Sequence, residues 1–423
     1  MPPEPLNVVI AGGGVAGLEA LLGLHRVAGD RVRLTLIAPE PDFTYRPLAV
    51  AEPFALGAAH RVPLSQAAEE TDAELIPEAL AGVDDASRQL RLGNHGTRRF
   101  DALLVAPGGR PIAGVPGATT WWPGGDAEVY GGLLSDLEQG YSKQLAIVVP
   151  PGAVWPLPAY ELALMTIGES RAMGHDDVEV TVVTPERTPL SLFGAEASAA
   201  VGEELDRAGV RLETGAVARV DGSRLVLEPS GETLVTQRVF SVPRLVGPAI
   251  DGLPADEEAF IEAGDDGLVA GCERTWAAGD AIVSPVKFGG LATHQARIAI
   301  AGIARLAGVP DVQDPGEPVL HGRLLTGGTS RRLAARGDGE GAPLWWPAGK
   351  VAGEYLPRWL AEHGVAPQAA EEPPAPVGVE VRRPMSELRG PEAKHLYDVA
   401  RQFRSGDPAI AALGRRMREI RSR

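Results

Sequence analysis

The chain has 423 residues, 44% hydrophobic and 23% charged, which is enough for two or three domains with sizeable cores. Its formal net charge of −16 speaks against nucleic acid as a partner, because phosphate binding rests on clustered positive charge. A single cysteine, Cys272, excludes an intramolecular disulfide, a cysteine-rich zinc site and a redox-active cysteine pair within this sequence.

Residues 6–11 form a short apolar run that ends in Gly12, Gly13 and Gly14, residues 15–24 have helical apolar spacing, and residues 31–38 alternate as a second strand. This predicts an opening βαβ unit. A comparable unit begins at Leu145, with the strand LAIVV, a helix over about 159–170 and the strand VEVTVVT ending at Thr184. TWAAGDAIV, around Gly279, followed by the helical pattern GGLATHQARIAIAGIARLAG, suggests that the first half is resumed late. The expected fold is therefore α/β, with two doubly wound dinucleotide-binding-type domains. The first spans 1–112 and 256–316 and the second is inserted at 113–255. A C-terminal segment at 317–365 follows. After it come a Pro/Ala/Glu linker at 366–384 and a basic helical tail at 385–423. From Arg382 onward eleven Lys and Arg face five acids, a net +6 that leaves −22 for the rest.

Gly12, Gly14 and Gly17 stand as G-x-G-x-x-G between strand and helix. The first glycine permits the tight turn, the second admits a pyrophosphate and the third lets the helix pack closely, with the phosphates at the helix N-terminus. The acid expected at the end of the second strand is displaced. Ala38 holds that position and Glu40 follows Pro39, so Glu40 is either a ribose ligand or a solvated loop carboxylate.

Two further segments complete a resemblance. FDALLVAPGG, from Phe100, resembles the strand and turn by which two-dinucleotide-domain flavoproteins return to the FAD domain, and TWAAGDA resembles the late motif whose Asp, here Asp280, binds the ribityl chain. Together the three segments resemble the glutathione reductase-like flavoproteins. Within these the closest likeness is to the sulfide:quinone oxidoreductase and type II NADH dehydrogenase group, carried by LIAPEPDFTYRPLAVAEPF, VVTPERTPLSLFG and PAYELAL. The resemblance implies an FAD-dependent oxidoreductase. FAD contacts are expected at Gly12, Gly14, Val15, Ala16 and Gly17, at Ala38, Pro39, Glu40, Arg46 and Pro47, and at Leu80, Ala106 and Gly108. The late segment adds Gly279, Asp280, Lys287, Gly290 and Leu291. The group's catalytic cysteine falls on Trp155, and only six residues separate Asp280 from Lys287 where its second cysteine lies on a longer loop. A cysteine-relayed sulfide reaction is thereby excluded.

Glu161 and Lys287 are the candidate catalytic residues. Glu161 matches a flavin-proximal family glutamate, or is a first-turn helix acid favoured by the dipole. Lys287 is either a cation for the reduced flavin or an ordinary surface lysine. The loop after Val149, PPGAVWPLPAYE, has Gly152 as its only glycine, and its prolines lack the N–H groups of a phosphate cradle. NAD(P)H is thus disfavoured, although Glu186 stands where a ribose-binding acid would sit. No metal-ligand spacing occurs, and His294 reads as a structural histidine. Trp121, Trp122, Trp155, Trp345 and Trp346 are read mainly as packing residues. The alternative places Trp345 and Trp346 beside the flavin or at a subunit contact.

No apolar run approaches the roughly eighteen residues of a membrane span, and MPPEPLNVVIAGGG has no basic region ahead of its apolar stretch. An integral membrane or secreted protein is not expected. The expectation is a cytoplasmic protein, peripheral at the membrane if its basic tail binds there, and a homodimer is one possible assembly. Three functional readings remain: direct two-electron chemistry at FAD with a quinone or small organic molecule, NAD(P)H:acceptor oxidoreduction through an atypical loop, or a flavin-based redox sensor or interaction protein.

Overall fold

The computed structural model describes residues 4–93, 96–124, 127–284, 286–316, 320–328, 330–334, 350–351 and 353–365. The tail, the linker, Trp345 and Trp346 lie outside the described residues.

Short valine- and leucine-rich runs suit strands covered on both faces, and they build two parallel sheets. The first has the order Thr275–Ala277, Ala102–Val105, Leu6–Ala11, Val32–Ile37 and Glu74–Ile76. Its edge strand, Thr275–Ala277, comes from late in the chain. Helices Val15–Ala28 and Gly289–Leu306 lie against it and contribute Leu18, Leu21, Leu24, Ile300 and Ile303 to its core.

The second sheet runs Thr119–Thr120, Arg238–Ser241, Gln144–Val148, Glu179–Val183 and Arg211–Glu213, again parallel. Helices Leu157–Ala172 and Ala195–Ala208 flank it. The two passages of chain between the halves pair as an antiparallel ribbon, Arg110–Ile112 with Arg244–Val246. The core of the second half also takes in Ala49, Val50, Ala51, Phe54, Val286, Phe288 and Leu291. The halves therefore share buried apolar surface, worth roughly 1.5–3 kcal/mol for each large side chain fully removed from water.

Two C-terminal pieces close over this frame. Hairpin His321–Leu324 with Arg331–Ala334 buries Leu324 and Leu333 in the second core, and Gly322 faces the Phe193 ring. Helix Leu356–Glu362 buries Leu356, Trp359 and Leu360 against the first half. Its start is held by the fully buried Glu19, whose carboxylate accepts the backbone N–H groups of Glu354, Tyr355 and Leu356 at 2.7–3.3 Å.

The structure moves some predicted boundaries. The first helix runs on to Ala28, because the apolar spacing continues to Gly29, which closes it with a positive φ. The helix of the second unit starts at Leu157, two residues before the expected position, because Pro158 is compatible with a first turn. Glu161 therefore lies beyond that first turn, and the reading of it as a dipole-favoured first-turn acid is corrected.

Candidate cofactor and active site

At the carboxyl end of strand Leu6–Ala11, Gly12 takes φ +127°, and a Cβ there would stand 2.1 Å from the Ala106 carbonyl oxygen. A Cβ on Gly17 would stand 1.8 Å from the Gly12 oxygen, so the helix reaches the strand end only because that side chain is missing. Gly14 differs: its Cβ would meet nothing within 4 Å. Open space thus lies beside the first turn of helix Val15–Ala28, whose leading N–H groups have no intrahelical acceptor. Val15 and Ala16 belong to that turn. This is the geometry that receives a pyrophosphate.

The other expected contacts gather unevenly around it. Ala38 is buried next to Gly13, and its N–H donates to the Ile76 carbonyl at 3.0 Å. Pro39 and Glu40 sit exposed on the following bend, Arg46 is exposed, and Pro47 and Leu80 are half-buried. Gly108 takes φ +78° beside the exposed Pro107.

On the opposite side, Gly279 takes φ +78°, donates its N–H to Gln295 Oε1 at 2.8 Å, and faces Ala16 closely enough that a Cβ would stand 3.3 Å from that residue's methyl group. The GD turn and the glycine loop are thus adjacent. Burial holds the Asp280 carboxyl above its ordinary range, while Lys287 and Arg46 pull it back. Gly290 and Leu291 lie in the first turn of helix Gly289–Leu306, and His294 and Gln295 follow half-buried one turn later.

The two candidate catalytic residues are both buried. Lys287 is 2% exposed, which corrects the reading of it as a surface lysine. Its Nζ donates to the carbonyls of Asp280, at 3.1 Å, and Ile282, and lies 3.6 Å over the Phe260 ring. Burial pushes its pKa down to about 8, against the carboxylates of Asp280, Asp256 and Glu258. Glu161 is fully buried; both its oxygens lie 2.6 Å from Lys350 Nζ, and Oε1 also accepts the Leu325 N–H at 2.9 Å. The backbone N–H of Lys350 donates at 2.9 Å to the hydroxyl of Tyr45, which burial pushes up to about 12.

The second half presents a filled loop. At Gly152 a Cβ would lie 2.9 Å from Arg244 Nε, and that guanidinium donates from Nη2 to Glu258 Oε1 at 2.6 Å. The acid placed for a ribose, Glu186, instead accepts from the Tyr160 hydroxyl at 2.5 Å and the Thr184 hydroxyl at 3.1 Å, and burial raises it to about 7. Trp155 stacks on Phe288 with ring centroids 4.8 Å apart, and Phe193 meets both rings edge-on at 6.0 and 6.3 Å. These contacts give Trp155 the packing role read for it. Among the other tryptophans, Trp121 is buried and Trp122 is 40% exposed.

The sequence reading missed Lys350, Tyr45, Glu19 and Arg244. Lys350 stands in LWWPAGKVAG. Ion pairs between residues so far apart have no local signature.

Residues 6–305 match the family described as pyridine nucleotide-disulphide oxidoreductase. The chain belongs to this family. It is an FAD-dependent oxidoreductase. Its fold is similar to that of the sulfide:quinone oxidoreductase from the hyperthermophilic bacterium Aquifex aeolicus, with a TM-score of 0.69 and 18% identity over 77% of this chain and 82% of that one. It is also similar to a ferredoxin reductase from Rhodopseudomonas palustris, with a TM-score of 0.56 and 22% identity over 74% and 79%. A third similar structure is NDH2 from Plasmodium falciparum in complex with NADH, with a TM-score of 0.52 and 16% identity over 66% of this chain and 64% of that one. No curated protein matches the sequence. Among the described residues, no helix is long and apolar enough to cross a membrane, and no cluster of three acids, histidines or cysteines is placed to hold a metal ion.

Proposed function

We propose that this protein exchanges two electrons directly between its flavin and small organic molecules, a quinone among them, without a disulfide relay and without NAD(P)H as donor. The observation that carries this reading is the closed loop of the second half. Arg244 occupies the space beside Gly152 that a phosphate would need, and Tyr160 and Thr184 hold the carboxylate that would bind a ribose.

FAD, when bound, supplies the two-electron redox centre. The chain's own residues hold and shield it. Gly12, Gly14 and Gly17 would hold the pyrophosphate by backbone, and Asp280 would accept a hydroxyl of the ribityl chain. Trp155, Phe288 and Phe193 pack as one aromatic cluster, with Phe193 and Phe288 buried. Glu161 and Lys350 tie the second half to the C-terminal segment. Cys272 takes no part. It lies on a loop of the first half, and burial, with Asp85 nearby, raises its thiol to about 11.

The test is anaerobic mixing of the purified flavoprotein with NADH, NADPH, quinols, thiols and sulfide while flavin absorbance is followed. Slow bleaching by both nicotinamides, with fast saturable reduction by an organic donor, is expected. Fast saturable reduction by NADH or NADPH would replace this reading with an NAD(P)H:acceptor oxidoreductase.

A further inference from the structure

We propose that Lys287 is a positioning residue for FAD that acts through Asp280, by clamping the turn that presents this carboxylate to the cofactor. The inference concerns this chain's own residues around the FAD site described above. The turn Gly279–Ala281 is one short 3-10 turn between extended residues, Ala278 before it and Ile282 after it. So short a turn has little internal hydrogen bonding to fix it. Its front is tied by the Gly279 N–H to Gln295, and Ala281 accepts the Ile261 N–H at 2.9 Å. The Lys287 ammonium bridges the carbonyl of Asp280 itself and that of Ile282 just beyond, so one cation spans the back of the turn.

Burying an ammonium is costly, and it survives only where partners surround it. Here the partners are two carbonyls, the face of Phe260, and the carboxylates of Asp280, Asp256 and Glu258. With its Nζ committed to backbone oxygens and a ring face, Lys287 has its main structural effect on the turn. A positively charged side chain holding the backbone carbonyl of Asp280 fixes the position of the Cα from which that residue's carboxylate projects. Because the Glu258 carboxylate pairs with Arg244 over Gly152, the same charge cluster joins the turn to the filled loop of the second half.

The experiment follows FAD release from the full-length holoprotein by the rise of free-flavin fluorescence on dilution. It compares wild type, Lys287→Met, Lys287→Arg, Asp280→Ala and the double variant Lys287→Met/Asp280→Ala. Lys287→Met should weaken FAD binding roughly tenfold, on the scale of one lost charged hydrogen bond, and Lys287→Arg should restore most of that loss. In the Asp280→Ala background the same substitution should weaken binding less than about threefold further, because the two residues act as one unit. Full additivity would overturn the proposal. So would unchanged affinity together with a shifted flavin reduction potential, since that result describes a lysine acting on the flavin ring. If Lys287→Met does not fold, Phe260→Leu loosens the same ammonium: weaker FAD binding that disappears in the Asp280→Ala background supports the proposal, and unchanged binding overturns it.

Discussion

Lys350 Nζ sits 2.6 Å from both carboxylate oxygens of Glu161, a residue 189 positions earlier in the chain, and the two side chains are 5% and 0% exposed. Burial works against both charges, raising the Glu161 pKa and lowering that of Lys350, and each partner's charge opposes the shift of the other. Such a pair adds little net stability over a matched apolar pair, but leaving one member alone inside the protein is expensive. The pair therefore specifies where the C-terminal segment docks.

Lys350→Met should destabilise the holoprotein by about 3–5 kcal/mol, because it strands a buried carboxylate. Glu161→Leu combined with Lys350→Met should recover much of that loss. Denaturant unfolding monitored by flavin and tryptophan fluorescence checks both, and a double variant no more stable than Lys350→Met would count against the pairing.

Two glycines of the same loop, Gly14 and Gly17, should behave differently when changed to alanine. Gly17→Ala forces a methyl group to 1.8 Å from a backbone oxygen, and should cost several kcal/mol of folding stability, on the scale of other overpacked sites. Gly14→Ala meets no protein atom within 4 Å and should fold normally, yet lose FAD, because its methyl group projects into the space left for phosphate. Thermal unfolding together with the flavin content after acid release separates the two outcomes.

The split first sheet, the glycine loop and the Asp280 turn were legible in the sequence because each depends on local chemistry: apolar runs of strand length, glycines where a Cβ cannot fit, and an acid at a strand end. Glu161 and Lys287 were also singled out, but their partners were not. Lys350 reaches Glu161, and Arg244 reaches Gly152 and Glu258, across distances that no periodicity encodes. Glu186 shows the same limit. Its position after a strand fitted a ribose ligand, and only the folded protein reveals the Tyr160 hydroxyl already donating to it.

Cys272→Ala should leave flavin reduction and turnover unchanged. The thiol is raised to about 11 by burial and by Asp85, whose carboxylate accepts the N–H groups of Glu273 and Arg274 and the Thr275 hydroxyl. At pH 8 it should react with a disulfide reagent far more slowly than a free thiol of pKa near 8.5. Rapid labelling, or loss of most turnover in the alanine variant with FAD retained, would show that a lone thiol takes part.

The last expectation concerns pH and the clamp on helix Leu356–Glu362. His363 Nδ1 lies 2.7 Å from the Trp359 carbonyl and Nε2 lies 2.8 Å from Glu70 Oε1, while Trp359 Nε1 donates to the other Glu70 oxygen at 2.6 Å. Both ring nitrogens therefore face acceptors, and only the doubly protonated imidazolium can donate to both. The Trp359 carbonyl is the main cause of a raised His363 pKa, Glu70 and Glu362 add to it, and partial burial opposes it. Because the folded state holds this proton more tightly than the unfolded chain, the stabilisation is fully present below the unfolded value of about 6.5 and is lost as pH rises through the folded value. The pair is near the surface, so its contribution should be about 0.2–1 kcal/mol. His363→Gln should remove that pH-dependent part and leave the Trp359 to Glu70 hydrogen bond in place. Stability measured from pH 5.5 to 8.5 should fall more steeply in the wild type than in this variant; parallel curves would show that folding does not raise the His363 pKa.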